Sequence, residues 1–159
     1  MNWPKISIAI PTINEEKNID QCLGSIFSQN YPKAKLEVLI IDDDSIDKTL
    51  EIANKYPVKI LHNGHKHGEI GKMIGLKKST GDYFLYLDAD VELISKDLLK
   101  QLVLPLMQNK NLTASFTREG NVDQSAPALE RYLGFDALQR DGLYQYLTPS
   151  VESTIIKSE

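Results

Sequence analysis

Tyr83-Phe84-Leu85-Tyr86-Leu87-Asp88-Ala89-Asp90 joins five apolar or aromatic residues to two carboxylates one residue apart. The apolar run reads as a buried strand, and the acids stand where the chain leaves it. In an open α/β sheet, residues at the carboxyl end of a strand face a crevice rather than a core. Two carboxylates held together there repel each other, and burial adds to the cost of keeping both ionised. A divalent cation relieves that cost. Mg²⁺ or Mn²⁺ takes oxygen ligands and leaves positions for substrate phosphates. The stretch therefore points to a metal-bound, phosphorylated ligand. Alone, Asp-x-Asp is equally the pattern of a solvated turn, so the surrounding sequence decides.

Upstream, Gly81-Asp82 turns into this strand, and Ile70, Met73, Ile74 and Lys77 mark a short helix before it. Residues 62–68 are polar, contain glycine and read as a loop. Val58-Lys59-Ile60-Leu61 is a strand, preceded by a short helix carrying Ile46, Leu50 and Ala53. Residues 36–41 are almost continuously apolar, as in a strand covered on both faces. Ile19, Cys22, Leu23, Ile26 and Phe27 recur at helical spacing. Asn14 is the expected N-cap of that helix, with Glu15 and Glu16 in its first turn and Tyr31-Pro32 at its end. Ile6-Ser7-Ile8-Ala9-Ile10 is the first strand, stopped by Pro11. Strand and helix thus alternate four times before the acid pair, which predicts right-handed crossovers and a mostly parallel sheet. Downstream, Ser95 caps a helix carrying Leu98, Leu99, Leu102, Val103 and Leu106, and residues 112–117 form a fifth strand. After Arg118 the rhythm weakens, and residues 144–159 read as a chain ending in mid-fold.

A chain of 159 residues, 42% hydrophobic, suits one domain with its own core. A net charge of -4 argues against non-specific nucleic-acid binding, which needs a basic face. The single cysteine, Cys22, has no internal partner and falls on an apolar helix face, consistent with a reducing compartment. The N-terminus lacks the apolar segment of a signal peptide. No apolar run reaches the roughly 18 residues of a membrane span. The expected location is cytoplasmic, extending to the inner face of the membrane.

Three strand ends carry polar groups that can meet: Pro11-Thr12-Ile13-Asn14-Glu15, Asp42-Asp43-Asp44-Ser45-Ile46-Asp47 and Asp88-Ala89-Asp90. Asp44 or Ser45 can cap the following helix. That leaves the other acids unexplained, and an aspartate at a strand end can accept hydrogen bonds from a base or a ribose. Lys72 follows Gly68 and Gly71 near a helix N-terminus, where glycines let a backbone approach a phosphate and lysine adds a cation. The spacing is not that of a recognised phosphate loop, and a solvated lysine is the alternative.

The ordered set Ile10-Pro11-Thr12-Ile13-Asn14-Glu15-Glu16, Ile41-Asp42-Asp43-Asp44-Ser45-Ile46-Asp47-Lys48-Thr49, Thr80-Gly81-Asp82 and Leu87-Asp88-Ala89-Asp90 resembles the family 2 glycosyltransferases. The resemblance covers residues 6–93 and fades beyond 117. It implies the α/β GT-A fold, a Rossmann-like, mostly parallel sheet with helices on both faces. It also implies a nucleotide-sugar-binding core over residues 1–117, followed by an incomplete acceptor-side region, 118–159. Position by position, it implies that Pro11 and Glu15 line the nucleoside pocket, Glu15 near the ribose. Asp43 would bind the base edge, Asp88 would sit near the ribose or the metal, and Asp90 would be the metal ligand, with Glu92 a weaker candidate. The implied cofactor is Mn²⁺ or Mg²⁺, and the donor a UDP-sugar or, second, a GDP-sugar. Three positions depart from the family pattern. Asp44 stands at a usual glycine or asparagine, Ile13 at a frequent tyrosine, and Met73 near a common asparagine.

The implied reaction is single displacement with inversion at the anomeric carbon. A hydroxyl acceptor needs a base within reach. The family's later acidic motif, its usual source, is not visible, and Glu130 and Asp136 lie in no such motif. A glycan acceptor would therefore call on missing chain, whereas a polyprenyl phosphate is already anionic and needs no base. Arg118 is the candidate acceptor contact, Arg131 and Arg140 could serve as well, and the alternative for each is an ordinary surface arginine. The alternative is a nucleotide-sugar-binding fragment without turnover. Phosphatases of the haloacid dehalogenase type also place Asp-x-Asp after a strand, but near the start of the domain and with threonine two residues on. Here three strands come first and Glu92 holds that place. Response-regulator receivers need an isolated phospho-acceptor aspartate, which Asp-x-Asp is not.

Overall fold

The computed structural model describes residues 1–65 and 67–115, and the backbone of 155–157. Four strands, β1 (Ile6–Thr12), β2 (Leu36–Asp42), β3 (Lys59–His62) and β4 (Tyr83–Tyr86), are mutually parallel. Two short strands, β5 (Ala114–Ser115) and β6 (Ile155–Lys157), extend the sheet; β6 runs antiparallel to both β4 and β5. The sheet order is β3-β2-β1-β4-β6-β5. Helices α1 (Ile19–Phe27), α2 (Thr49–Ala53), α3 (Gly68–Lys78) and α4 (Leu98–Gln108) fill the connections.

Alternation along the strands builds two cores, because successive side chains point to opposite faces. Ile6, Ile8 and Ile10 join Val38, Ile40, Leu85 and Leu87 on one face. There they meet Ile19, Cys22, Leu23 and Ile26 of α1, Ala53 of α2, and Leu99, Leu102, Val103 and Leu106 of α4. Each fully buried aliphatic side chain of this kind contributes about 1.5–3 kcal/mol. Ala9, Leu39, Ile41 and Phe84 form the other, thinner core, against Ile74 of α3. Helices on both faces of a parallel sheet are what the strand–helix alternation predicts.

Several local expectations are corrected. Pro11 does not stop the first strand but pairs with Ile41 inside it. Pairing of β1 with β4 ends at Ala9–Tyr86, where Ala9 O accepts from Leu87 N. Pro11 shares the parity of Ala9, so its missing N–H falls on the side that β4 has already left. Asn14 is not a helix cap. Its φ is +54°, and α1 begins only at Ile19, after a turn in which Glu15 O accepts from the N–H groups of Asn18 and Ile19. Glu15 and Glu16 therefore precede the helix, which ends at Phe27 rather than at Tyr31-Pro32. Neither Asp44 nor Ser45 caps α2, and Ile46 is 92% exposed rather than on its apolar face. Ser95 does not cap α4 through its side chain; its carbonyl accepts from Leu98 N at 3.2 Å. The fifth strand is Ala114–Ser115. Residues 116–154, which hold Arg118, Glu130, Arg131, Asp136 and Arg140, lie outside the described residues.

Candidate functional site

The chain runs from β1 to β2 to β3 in one direction across the sheet and then places β4 on the opposite side of β1. The carboxyl ends of β1 and β4 therefore flank the point where strand order reverses, the usual seat of a ligand in such sheets. An open cleft of about 400 Å³ lies there, lined by Pro11, Glu15, Asp88, Ala89, Asp90 and Val91. Of the residues singled out from sequence, Pro11, Glu15, Asp88 and Asp90 come together around it. Asp43, at the adjoining end of β2, is buried and fixed through its own N–H, which donates to Thr12 O at 2.9 Å.

The loops after β1 and β2 are clasped to one another. Asn14 N donates to Ser45 Oγ at 2.9 Å, Glu15 N to Thr49 Oγ1 at 2.7 Å and Glu16 N to Asp47 Oδ2 at 3.0 Å. In return Ile46 N donates to Asn14 Oδ1 and Lys48 N to Glu16 Oε2. Asp47 Oδ1 also accepts from Thr49 N at 2.9 Å. Asp42, whose Oδ2 accepts from Ser45 N, starts the turn, and Asp44 lies in it at φ +61°. That left-handed backbone is the place for glycine or asparagine. It accounts for the position of Asp44 in the acid run, and the Asp44 side chain lies 3.5 Å from His62 Nδ1. Asp47 and Thr49 stand in a stretch that carries the family resemblance, but the sequence reading gave neither a role.

At the other wall, Tyr86 donates its hydroxyl to Asp88 Oδ1. Burial and the adjacent Asp88 carboxylate push the Tyr86 phenol well above its ordinary value, so it stays a donor. Lys72 Nζ lies 4.2 Å from the centre of the Tyr86 ring and 2.7 Å from Glu69 Oε1. Lys72 thus reaches the cleft through Tyr86 and does not line it. The glycines before it have a packing role at one position only. A Cβ on Gly71 would come within 3.1 Å of Pro11, whereas one on Gly68 would meet nothing within 4 Å. Glu92 turns to α1, accepting from Gln21 Nε2 at 2.6 Å. Ile13 and Met73 are about half exposed. Cys22 lies beneath the cleft, its Sγ 3.8 Å from Asp88 O. Burial first, then the charges of Asp90, Asp88 and Glu15, push its thiol up to about 12, which keeps it inert.

The donor set suits a hard cation. Asp88 and Asp90 offer carboxylate oxygens at the cleft, and Asp88 Oδ2 makes no hydrogen bond to the described residues. No group of three or more His, Cys, Asp or Glu side chains able to hold a metal alone occurs among the described residues. The remaining ligands would be phosphate oxygens and water, as Mg²⁺ and Mn²⁺ sites commonly have. The Thr80-Gly81-Asp82 motif lies elsewhere, at the start of β4. There Thr80 binds Glu37, and Asp82 Oδ2 accepts from Lys5 N at 2.7 Å.

The family model described as Glycosyl transferase family 2 matches residues 7–152. The chain belongs to that family. Within it, the chain is 37% identical over 102 residues to the poly(ribitol-phosphate) beta-N-acetylglucosaminyltransferase TarS of Staphylococcus aureus. That match covers 60% of this chain and 18% of TarS, so the chain spans a small part of this relative's length. The structure of S. aureus TarS 1-349 in complex with UDP-GlcNAc superposes with a TM-score of 0.66 at 28% identity, over 77% of this chain and 36% of that one. A mannosyltransferase from Pyrobaculum calidifontis, in complex with GDP-Man and Mn²⁺, shares the fold with a TM-score of 0.68 at 23% identity, over 76% and 37%. The fold is thus the GT-A type of these glycosyltransferases. Among the described residues no helix is long and apolar enough to cross a membrane.

Proposed function

We propose that this chain forms the donor-binding part of an inverting, metal-dependent glycosyltransferase that takes a nucleoside-diphosphate sugar. The observation that carries the reading is the meeting of Pro11 and Glu15 with Asp88 and Asp90 around one cleft at the reversal of strand order. In this reading Pro11 and Glu15 bound the nucleoside, Glu15 on the ribose side, and Asp43 takes the base edge. Asp88 serves the ribose or the metal, and Asp90 holds Mn²⁺ or Mg²⁺. Lys72 adds positive charge beside them. When bound, the cation supplies Lewis-acid stabilisation of the charge developing on the leaving diphosphate. The chain's own share is to fix the donor: the clasped loops hold the nucleoside wall, and the Asp88–Asp90 turn holds the diphosphate end. UDP is the favoured nucleotide because the more similar S. aureus structure holds UDP-GlcNAc, and GDP is second. The acceptor is a glycan or a polyprenyl phosphate, with Arg118 the candidate contact for the second, and the setting is the cytoplasm, extending to the inner face of the membrane.

Calorimetric titration with UDP and GDP, each in Mn²⁺, Mg²⁺ and EDTA, tests the reading. The expected result is metal-dependent binding of one nucleotide that disappears in Asp90→Ala. Binding that ignores both the metal and Asp90 overturns the metal-dependent site.

A further inference from the structure

We propose that the Tyr86 hydroxyl is a positioning group, which holds one oxygen of Asp88 and leaves the other to the ligand in the cleft. This rests on the reading of the cleft as a nucleotide-sugar site. Tyr86 packs with the thinner core, alongside Phe84 and Ile74. The ring accounts for that packing, and a phenylalanine would fill the same place. The hydroxyl is surplus to it and, among the described residues, has one hydrogen-bond partner, Asp88 Oδ1. Phe84, Tyr86 and Asp88 follow one another at alternate positions, so the carboxylate continues the same face of the strand into the cleft.

The ring is itself held. Lys72 Nζ stands 4.2 Å over its centre, within cation–π reach, and is tied to Glu69 one helical turn back. Helix α3 thus presses on the ring from one side while the strand carries it from the other. An aspartate carboxylate otherwise turns broadly about its last torsion. A phenol donating to Oδ1 selects one orientation, and a hydrogen bond to an ionised acceptor is a strong one. The cleft therefore meets a carboxylate whose Oδ2 is already presented.

Tyr86→Phe removes the hydroxyl and keeps the ring. The test is calorimetric titration of the 159-residue chain and of this variant with UDP and with GDP, in Mn²⁺ and in EDTA, alongside Mn²⁺ alone followed by electron paramagnetic resonance. The expected result is a loss of about tenfold in nucleotide affinity with Mn²⁺, weaker binding of Mn²⁺ alone, and no change in EDTA. A merely structural role would lower nucleotide affinity while leaving the binding of Mn²⁺ alone unchanged, and that outcome overturns the proposal, as does an unchanged nucleotide affinity. If wild-type binding depends on Mn²⁺ and on Asp90 but not on the Tyr86 hydroxyl, only this inference falls. If the wild-type chain binds neither nucleotide under any condition, the reading of the cleft falls with it.

Discussion

Asn14 and Ser45 join the ends of two different strands: Asn14 N donates to Ser45 Oγ at 2.9 Å, and Asn14 Oδ1 accepts from the next backbone N–H, that of Ile46. The side chain reaches because Asn14 adopts φ +54°, a conformation asparagine tolerates better than most residues. The bonds from Glu15 and Glu16 to Thr49 and Asp47 continue the same seam. Glu15 lines the cleft, so its position depends on residues more than thirty positions further along the chain.

Asp47 accepts from the N–H groups of Glu16 and Thr49 and from the Thr49 hydroxyl. In Asp47→Ala three donors lose their partner; water can replace it at the exposed Glu16 N–H but not at the N–H and hydroxyl of the buried Thr49. The expected result is a loss of stability, read as a lower urea midpoint. Nucleotide affinity should fall as well, because Glu15 is released from its place. Urea denaturation and a UDP titration on the same preparation check this. Asp47→Asn, which keeps one acceptor, should fall between the two. An unchanged midpoint and unchanged affinity would show that the seam is incidental to the cleft.

The strand–helix order was legible because long apolar runs dominate local energetics and their period is read directly. The ends of those runs were not, and Pro11 shows why. Whether a proline stops a strand depends on which neighbour its N–H would face, and here that is settled by where β4 ends. Asn14 was misread for a similar reason: a good N-cap residue before an apolar helix also suits a left-handed turn, and the partner that decides between them, Ile46, lies in another loop. Asp44 carried a usable signal in its departure from glycine, since φ +61° explains the preference for glycine there. Thr80-Gly81-Asp82 helped to carry the family resemblance yet sits at the opposite end of the sheet from the acids. A motif can thus identify a family through the packing of its fold. The Tyr86 hydroxyl was hidden inside an apolar run, where tyrosine reads as one more large side chain.

Gly75 and Gly68 share a helix and should respond to alanine with opposite signs. Alanine is ordinarily favoured over glycine in a helix by about 1 kcal/mol. At Gly75 a Cβ would stand 2.5 Å from Ala9 Cβ and 3.2 Å from Ile41 Cδ1. Ala9 is anchored in the central strand and cannot turn away, so α3 would have to lift. Gly75→Ala should destabilise by about 1–3 kcal/mol despite its helix preference. At Gly68 nothing lies within 4 Å, and Gly68→Ala should stabilise by up to about 1 kcal/mol. Thermal unfolding of the two variants beside the wild type checks the pair. A stabilised Gly75→Ala would mean that α3 does not pack as closely on β1 as described.

Glu37 is expected to make the stability of the fold sensitive to acid. It is buried under α3 at the end of the sheet away from the cleft, and its carboxylate takes bonds from Ser7 Oγ at 2.5 Å, Thr80 N at 2.8 Å and Lys59 Nζ at 2.7 Å. Burial alone would raise its pKa, but these hydrogen bonds outweigh it and hold the group at about 2, below its ordinary 4.5. Because the folded value is the lower one, the associated stability is fully present above about pH 4.5 and is lost as pH falls towards 2. A shift of that size corresponds to something on the order of 3 kcal/mol. In Glu37→Gln the proton-linked part disappears. The variant should be less stable at pH 7 by a few kcal/mol, since Lys59 loses its charge partner and the buried donors meet an amide. Its stability should then change less than that of the wild type between pH 4.5 and 2. Urea unfolding across that range measures both. Parallel curves for the two proteins would mean that other carboxylates, and not the Ser7–Glu37–Thr80 cluster, govern acid unfolding.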